Sequence, residues 1–154
     1  MPYCGMTSFG FRVYGIPAPQ GSKIPGVSSK TGKMFVREQS SKTLTPWRQD
    51  VKAAAEIARA GSDTLTGPIV LTADLFMPRP ASIPVKRRPY PTVMPDLDKL
   101  LRGIGDALRQ AGVYKDDAQI VAIRATKQYA DDSVERSPGA WITITEVPPG
   151  GKLL

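Results

Sequence analysis

The sequence of 154 residues contains no histidine and a single cysteine, Cys4. The absence of histidine excludes a Ser-His-Asp triad, a histidine general base and a Cys/His zinc site. One cysteine excludes an internal disulfide and is typical of a reducing compartment, so we expect a cytoplasmic protein. A metal site in this chain would therefore be built from carboxylates, which favours a hard cation such as Mg²⁺, with Mn²⁺ as a substitute.

Long apolar runs are also missing. No stretch approaches the roughly 18 apolar residues that span a membrane. Residues 1–13 lack the basic start and apolar segment of a secretory signal. We therefore expect no membrane partner, and the length fits one domain over residues 1–154.

Acidic residues are scarce in two segments of this chain of net charge +7. Residues 1–48 contain seven Lys or Arg and one acid, Glu38, and residues 79–88 contain four basic residues and no acid. Such segregation suits a polyanionic partner, although basic surfaces also serve solubility alone. The basic residues that we expect to contact DNA are Lys23, Lys30, Lys33, Arg79, Lys86, Arg87 and Arg88.

The hydrophobic pattern predicts an α+β fold. We expect a strand at 9–13, a hairpin within 20–42, a helix that begins at Thr45-Pro46 and ends before Gly61, and a strand at 69–77. A second helix at 98–110 and strands at 120–129 and 140–147 follow, ahead of a loose tail over about 148–154. The result is a single domain with one mixed or antiparallel sheet and two main helices.

Residues 78–95 break this pattern. Six of these eighteen residues are proline and four are basic, and Tyr90 is the only aromatic residue. We therefore expect a mobile basic loop, which is more often functional than passive when it precedes an acidic motif.

Two pairs of aspartates are candidates for metal binding. Asp96 and Asp98 flank Leu97 directly after Pro95, and an extended backbone would place both carboxylates on one side with Leu97 anchored in the core. The alternative is that one of them caps the second helix. Asp116-Asp117 lies in the turn after that helix, where a plain polar turn is the simpler interpretation.

Charges within the second helix have two interpretations. Asp98, Arg102 and Asp106 are spaced four residues apart and predict an exposed ladder of ion pairs, which is the role we favour for Asp106. Lys99 and Arg102 lie within a turn of the acids, so either could contact a phosphate.

The motifs Asp96-Leu97-Asp98-Lys99-Leu100, Asp106-Ala107-Leu108 and Tyr114-Lys115-Asp116-Asp117-Ala118-Gln119 stand at characteristic separations. In this block, from about 95 to 127, the sequence resembles the RusA family of Holliday junction resolvases. The closing strand also fits, whereas the N-terminal half matches in layout only.

The resemblance implies a small homodimer, often encoded by a phage or prophage, that resolves four-way DNA junctions by symmetric paired nicks. It implies Mg²⁺ held by Asp96, Asp98 and Asp117, and our own hypothesis adds Asp116 as a helper of that metal site. The family's catalytic lysine falls on Arg102, and Lys99 stands where the family commonly has asparagine, so either cation could serve in catalysis.

Two other classes remain open from the sequence. The chain could be a non-catalytic nucleic-acid-binding module whose acids only cap a helix and shape a turn. It could also be a small interaction protein without a nucleic-acid partner. Mg²⁺-dependent nicking of a synthetic junction, lost in Asp98→Asn with binding retained, would distinguish the nuclease from both.

Overall fold

The computed structural model describes residues 6–20, 23–38 and 41–153. Six strands and two helices follow one another in this part of the chain, in the order β1 (Ser8–Tyr14), β2 (Lys23–Val27), β3 (Met34–Glu38), α1 (Ser41–Ala58), β4 (Ile69–Met77), α2 (Leu97–Gln110), β5 (Ile120–Tyr129) and β6 (Gly139–Glu146). A short 3-10 turn, Asp117–Gln119, immediately precedes β5. The predicted α+β class is confirmed.

Four strands form one mixed sheet in the order β1-β6-β4-β5. β6 is antiparallel to both β1 and β4, whereas β4 and β5 are parallel. The parallel pair needs a crossover, and α2 supplies it. β4, α2 and β5 thus form one β-α-β unit, which places α2 against the sheet and the Asp117 turn at the entrance to β5.

The predicted alternation of the strands is confirmed where one face is buried. Ile69, Leu71, Ala73 and Leu75 of β4 are all at most 1% exposed. Trp47 and Val51 of α1 and Leu100, Ile104 and Leu108 of α2 complete the same core. These aliphatic positions of β4, α1 and α2 therefore point between the sheet and the two helices, as period-2 and period-3.6 patterning predicts.

One predicted boundary is wrong. The helix predicted from Thr45 begins at Ser41, so that Pro46 lies inside α1 and not at its first position. Proline has a helical φ, but at this position it removes the bond that an N–H would donate to the carbonyl of residue 42, and its ring crowds that carbonyl. The predicted ends are better: Gly61 and Gly112 follow α1 and α2 with φ of +79° and +74°, which glycine adopts without strain.

The predicted hairpin is confirmed as the antiparallel pair β2–β3. Residues 78–95 contain no helix or strand, as predicted, and residues 147–153 contain none either. Cys4 lies outside the described residues, and so does the side chain of Lys23. Among the helices of the described chain, none is long and apolar enough to cross a membrane.

Candidate functional site

The first aspartate pair lies at the start of α2. Asp96 is the N-cap residue with extended backbone (φ −71°, ψ 142°), yet its side chain makes no capping hydrogen bond. Asp98 already lies in the first turn of the helix. The extended alternation predicted for this segment is therefore wrong: two residues apart on a helix are rotated by roughly 200°, so the two carboxylates point to different sides.

The predicted anchor between them is confirmed, because Leu97 packs against the hydrophobic core. A second support comes from the sheet. The Lys127 ammonium, on β5 opposite the buried Leu75, donates to the carbonyls of Val93 at 3.0 Å and Pro95 at 2.9 Å. Lys127 thus ties the end of the loop to the sheet directly before Asp96.

The second aspartate pair is divided in a similar way. The Asp116 carboxylate accepts from the Ala118 N–H at 2.8 Å, and Gln119 Oε1 accepts in return from the Asp116 N–H at 3.0 Å. This reciprocal capping box fixes the turn. Gln119 Nε2 also donates to the carbonyls of Leu65 and Gly67. The Asp116 carboxylate is therefore engaged in a hydrogen bond within the turn, whereas the Asp117 carboxylate takes no part in this capping box.

One member of each pair faces a common cavity of about 580 Å³. Its lining runs along α2 and across to the start of β5 and comprises Gln20, Leu71, Asp98, Leu101, Arg102, Gly105, Asp106, Asp117, Ile120 and Ile123. Asp98 and Asp106 are eight residues apart on α2, which is about 12 Å along the axis. The cavity is therefore an elongated groove with acids toward both ends and Arg102 between them.

The predicted ladder of Asp98, Arg102 and Asp106 does not form. Asp106 instead pairs with Arg48 of α1 and with Arg109, each at 3.7 Å. Arg109 also reaches Asp117 at 4.0 Å. The Asp106 carboxylate is thus a lining residue of the groove, and Arg109 links it to Asp117.

Tyr114 lies close to the Asp117 and Asp106 carboxylates. Its side chain is 1% exposed, and its hydroxyl donates to the Gly105 carbonyl at 2.8 Å. Burial raises the pKa of Tyr114, and the nearby carboxylates of Asp117 and Asp106 raise it further, because a phenolate would lose hydration and face negative charge. Tyr114 therefore stays neutral, and it packs in the core beside Asp117 and Asp106 without lining the groove.

The donor set of the groove fits a hard divalent cation in its chemistry. Carboxylates of Asp98, Asp106 and Asp117 line it, and oxygen ligands are what Mg²⁺ prefers. Gln20 adds a side-chain oxygen, Oε1, that is buried and has no hydrogen-bond partner in the part of the chain that the structure describes. Across the described ranges, however, no group of three or more acids or thiols is close enough to hold an ion in this arrangement. The sharing of one ion by Asp96, Asp98 and Asp117 stays a prediction.

The two candidate cations occupy different positions. Arg102 lines the groove between the acids. Lys99 lies at the helix start, where its ammonium is 3.7 Å from the Asp96 carboxylate, and it is not part of the groove wall. Arg102 is therefore the better placed of the two to meet a phosphate inside the groove.

The predicted DNA-contacting residues fall into two groups. Lys30, Lys33, Lys86 and Arg87 are exposed. Arg79 and Arg88 are partly buried, because they stack on or bind Tyr129: the Arg79 guanidinium lies 4.0 Å from the ring centre, and Arg88 Nε donates to the hydroxyl at 2.7 Å. Arg79 also donates to the carbonyl of Arg88 at 2.8 Å. Arg79 and Arg88 therefore stabilise the loop. The four exposed basic side chains are accessible to a DNA backbone.

Sequence reasoning did not find Gln20, Tyr114 or Lys127. Gln20 carries no motif of its own, and only the fold brings residue 20 beside α2. Tyr114 lies within the Tyr-Lys-Asp-Asp-Ala-Gln motif, which could have drawn attention to it. Lys127 lies on the same face of the predicted strand as Ile123 and Ala125. A charged residue on an apolar strand face is unusual, so this position could have indicated a hydrogen-bonding role.

Comparison with known proteins identifies the class of protein that this fold and groove define. Residues 17–145 match the sequence model of the family Endodeoxyribonuclease RusA. Because the match covers most of the chain, the chain belongs to the RusA family and is an endodeoxyribonuclease. The family resolves Holliday junctions and is metal-dependent in general, which agrees with the predicted class of enzyme and of substrate.

One curated relative matches over most of the length of both chains. The chain is 30% identical over 146 residues to the "Uncharacterized protein YqaN" of Bacillus subtilis (strain 168). The alignment covers 89% of this chain and 95% of the relative. The relative is therefore similar over nearly its whole length, although its printed name assigns no activity.

Proposed function

We propose that this chain is a Mg²⁺-dependent resolvase that cuts four-way DNA junctions by symmetric paired nicks as a homodimer. The observation that carries the proposal is that Asp98 and Asp117, from the two acidic motifs of the family, line one groove with Arg102 between its acidic ends. A groove of this kind can accept a phosphodiester while its acids bind a cation.

Asp98 and Asp117 would hold the cation, with Asp96 as the third carboxylate. A bound divalent ion would polarise the scissile phosphate and activate water for attack on phosphorus. Arg102 would donate to the phosphate oxygens and stabilise the negative charge that builds there. Arg109 pairs with both Asp106 and Asp117 and thereby orients the Asp117 side chain.

The remaining acidic and basic residues of the two motifs would support this centre. The Asp96 carboxylate has no capping bond to lose and is 57% exposed, so it can turn from Lys99 toward a cation. Lys99 would then be released to a DNA phosphate. Asp116 would act mainly through the turn that it caps, and it would help the metal only indirectly.

The DNA backbones would be held by the exposed basic residues of the hairpin and loop. Lys30, Lys33, Lys86 and Arg87 are exposed, and Lys23 lies on the same hairpin. Each phosphate contact should add about 0.9 to the slope of log affinity against log salt. Lys86→Ala with Arg87→Ala should therefore lower that slope by up to roughly 2, with a junction-binding titration as the measurement. An unchanged slope would remove the loop from the DNA interface.

Symmetric cleavage requires two active sites related by a two-fold axis, which a homodimer provides. Light scattering of the purified chain measures this directly, and mixed dimers with one Asp98→Asn subunit should nick only one strand of the junction. Paired cuts by such mixed dimers would contradict the two-site mechanism.

The test of the activity is cleavage of a synthetic four-way junction. The wild type should nick it with Mg²⁺ and not with EDTA, and Asp98→Asn should bind the junction and leave it intact. The matched control is Asp74→Asn, since Asp74 lies on β4 outside the groove and bonds Thr126. Equal cleavage by the wild type and Asp98→Asn would overturn the assignment of the site.

A further inference from the structure

Gln20 is the groove residue that belongs to neither acidic motif. It lies between β1 and β2, and its backbone N–H donates to the Lys99 carbonyl at 3.0 Å. This bond fixes residue 20 beside the first turn of α2. Gln20 thus borders the groove beside the helix turn that carries Asp98.

The side-chain amide oxygen of Gln20 has an unusual environment for a folded protein. Gln20 Oε1 is buried and has no hydrogen-bond partner among the described residues. A buried carbonyl oxygen without a donor or cation loses its hydration without compensation, so nearly all such oxygens in proteins are satisfied. The structure therefore calls for a partner at this oxygen that the described residues do not supply.

The charge around this oxygen favours a cation over a second acceptor. Asp98 borders the same end of the groove, and Asp106 and Asp117 line the rest of it. An amide oxygen is a neutral, hard ligand of the kind that complements carboxylates around Mg²⁺ or Mn²⁺. It adds a ligand without adding to the repulsion between the acids.

We infer that Gln20 is a metal ligand of this nuclease, and that its Oε1 binds the divalent cation at the Asp98 end of the groove. The inference rests on the proposed function, because it uses the same groove and the same cation. It adds the β1–β2 connection as a third element of the site, beside α2 and the turn before β5. The cation would be bound where residues 20 and 98 meet.

The test is a titration of the full chain with Mn²⁺. Electron paramagnetic resonance measures the free Mn²⁺ at each step and so gives the affinity. Gln20→Met keeps the length of the side chain but removes the oxygen, and it should weaken Mn²⁺ binding by about tenfold or more. Gln20→Glu should tighten binding, because it adds a charge to the ligand. Gln128→Met is the matched control, since Gln128 bonds Thr126 on β5 outside the groove, and its affinity should equal that of the wild type.

The outcomes separate the two proposals. If the wild type binds no Mn²⁺ and cuts no junction, the proposed function itself fails. If the wild type binds and cuts while Gln20→Met and Gln20→Glu keep its affinity, only the role of Gln20 is overturned. Should Gln20→Met fail to fold, as judged by circular dichroism, Gln20→Asn takes its place. Asparagine keeps the amide but draws its oxygen back by one methylene, so it should also weaken Mn²⁺ binding, and wild-type affinity in this variant would overturn the role of Gln20.

Discussion

The two aspartate pairs of this nuclease look alike in sequence and differ in what surrounds them. At the start of α2, helical geometry separates Asp96 from Asp98, and only Asp98 enters the groove. In the turn before β5, a capping box engages Asp116 and leaves Asp117 to the groove. Each pair thus gives one carboxylate to the shared site. Adjacency along the chain is a poor guide to which acids act together, because the local backbone decides where each side chain points.

The largest effects should separate the members of each pair. Asp98→Asn and Asp117→Asn should each lower single-turnover cleavage by at least about 10³-fold, because each removes a charge from the groove. Asp96→Asn should cost roughly 10–100-fold. Asp116→Asn should stay within about threefold, because asparagine also caps a helix.

Four rates on one junction measure this order, with binding in EDTA as the control for folding and DNA affinity. The different roles of Asp116 and Asp117 would be contradicted if Asp116→Asn loses as much activity as Asp117→Asn. In that case the capping box would have to open when the substrate binds.

The next effect should distinguish the two cations. Arg102→Gln should lower cleavage by about 10²-fold, since its guanidinium lines the groove where a phosphate would lie. Lys99→Gln should lower it by less than about tenfold, because Lys99 pairs with Asp96 outside the groove wall. Cleavage rates at saturating protein separate this from weaker DNA binding. A larger loss in Lys99→Gln would transfer the catalytic charge to Lys99.

A smaller effect should follow from loosening the support of the first pair. Lys127→Met retains the length of the side chain but removes both hydrogen bonds to residues 93 and 95. Cleavage should fall by about tenfold while junction affinity changes little, because the loop before Asp96 would lose its attachment to the sheet. Lys127→Arg should restore part of the rate. Full activity in Lys127→Met would show that Pro95 and Leu97 position the helix start without it.

The corresponding support of the second pair is Tyr114. Tyr114→Phe removes the bond to the Gly105 carbonyl and should destabilise the chain by about 1 kcal/mol at pH 7, or roughly 2–4 °C in Tm. Cleavage should stay within about threefold, because Arg109 still pairs with Asp117. A loss of activity comparable with that of Asp117→Asn would place the Tyr114 hydroxyl in the reaction.

The pH dependence of the same variant gives an independent check. The folded state raises the pKa of Tyr114 above its ordinary value of 10.0. The unfolded chain therefore loses this proton first, and the wild type should lose stability as pH rises above 10. Tyr114→Phe lacks this group, so the gap in unfolding free energy between the two should narrow in that range. Urea unfolding at pH 8 and pH 10.5 measures the gap.

Much of the fold could be predicted, because it follows from local patterns. Alternation in Ile69–Met77 predicted β4, and the spacing of Leu100, Ile104 and Leu108 predicted the inner face of α2. The start of α1 was missed because proline usually marks the first position of a helix, whereas α1 contains Pro46 in its interior. The Asp98–Arg102–Asp106 ladder was missed because Arg48 of α1, distant in sequence, competes for Asp106.

The sequence alone limited the chemistry open to this protein: with no histidine and one cysteine, the ligands of a metal in this family of nucleases would have to be oxygens, above all those of the two acidic motifs. Only the tertiary structure decided which atoms meet. The parallel β4–α2–β5 unit puts Asp98 and Asp117 in one groove, and the β1–β2 connection brings Gln20 to its edge. Residue types limit which ligands and charges are available, but side-chain direction and long-range contacts exist only once the sheet and helices have packed.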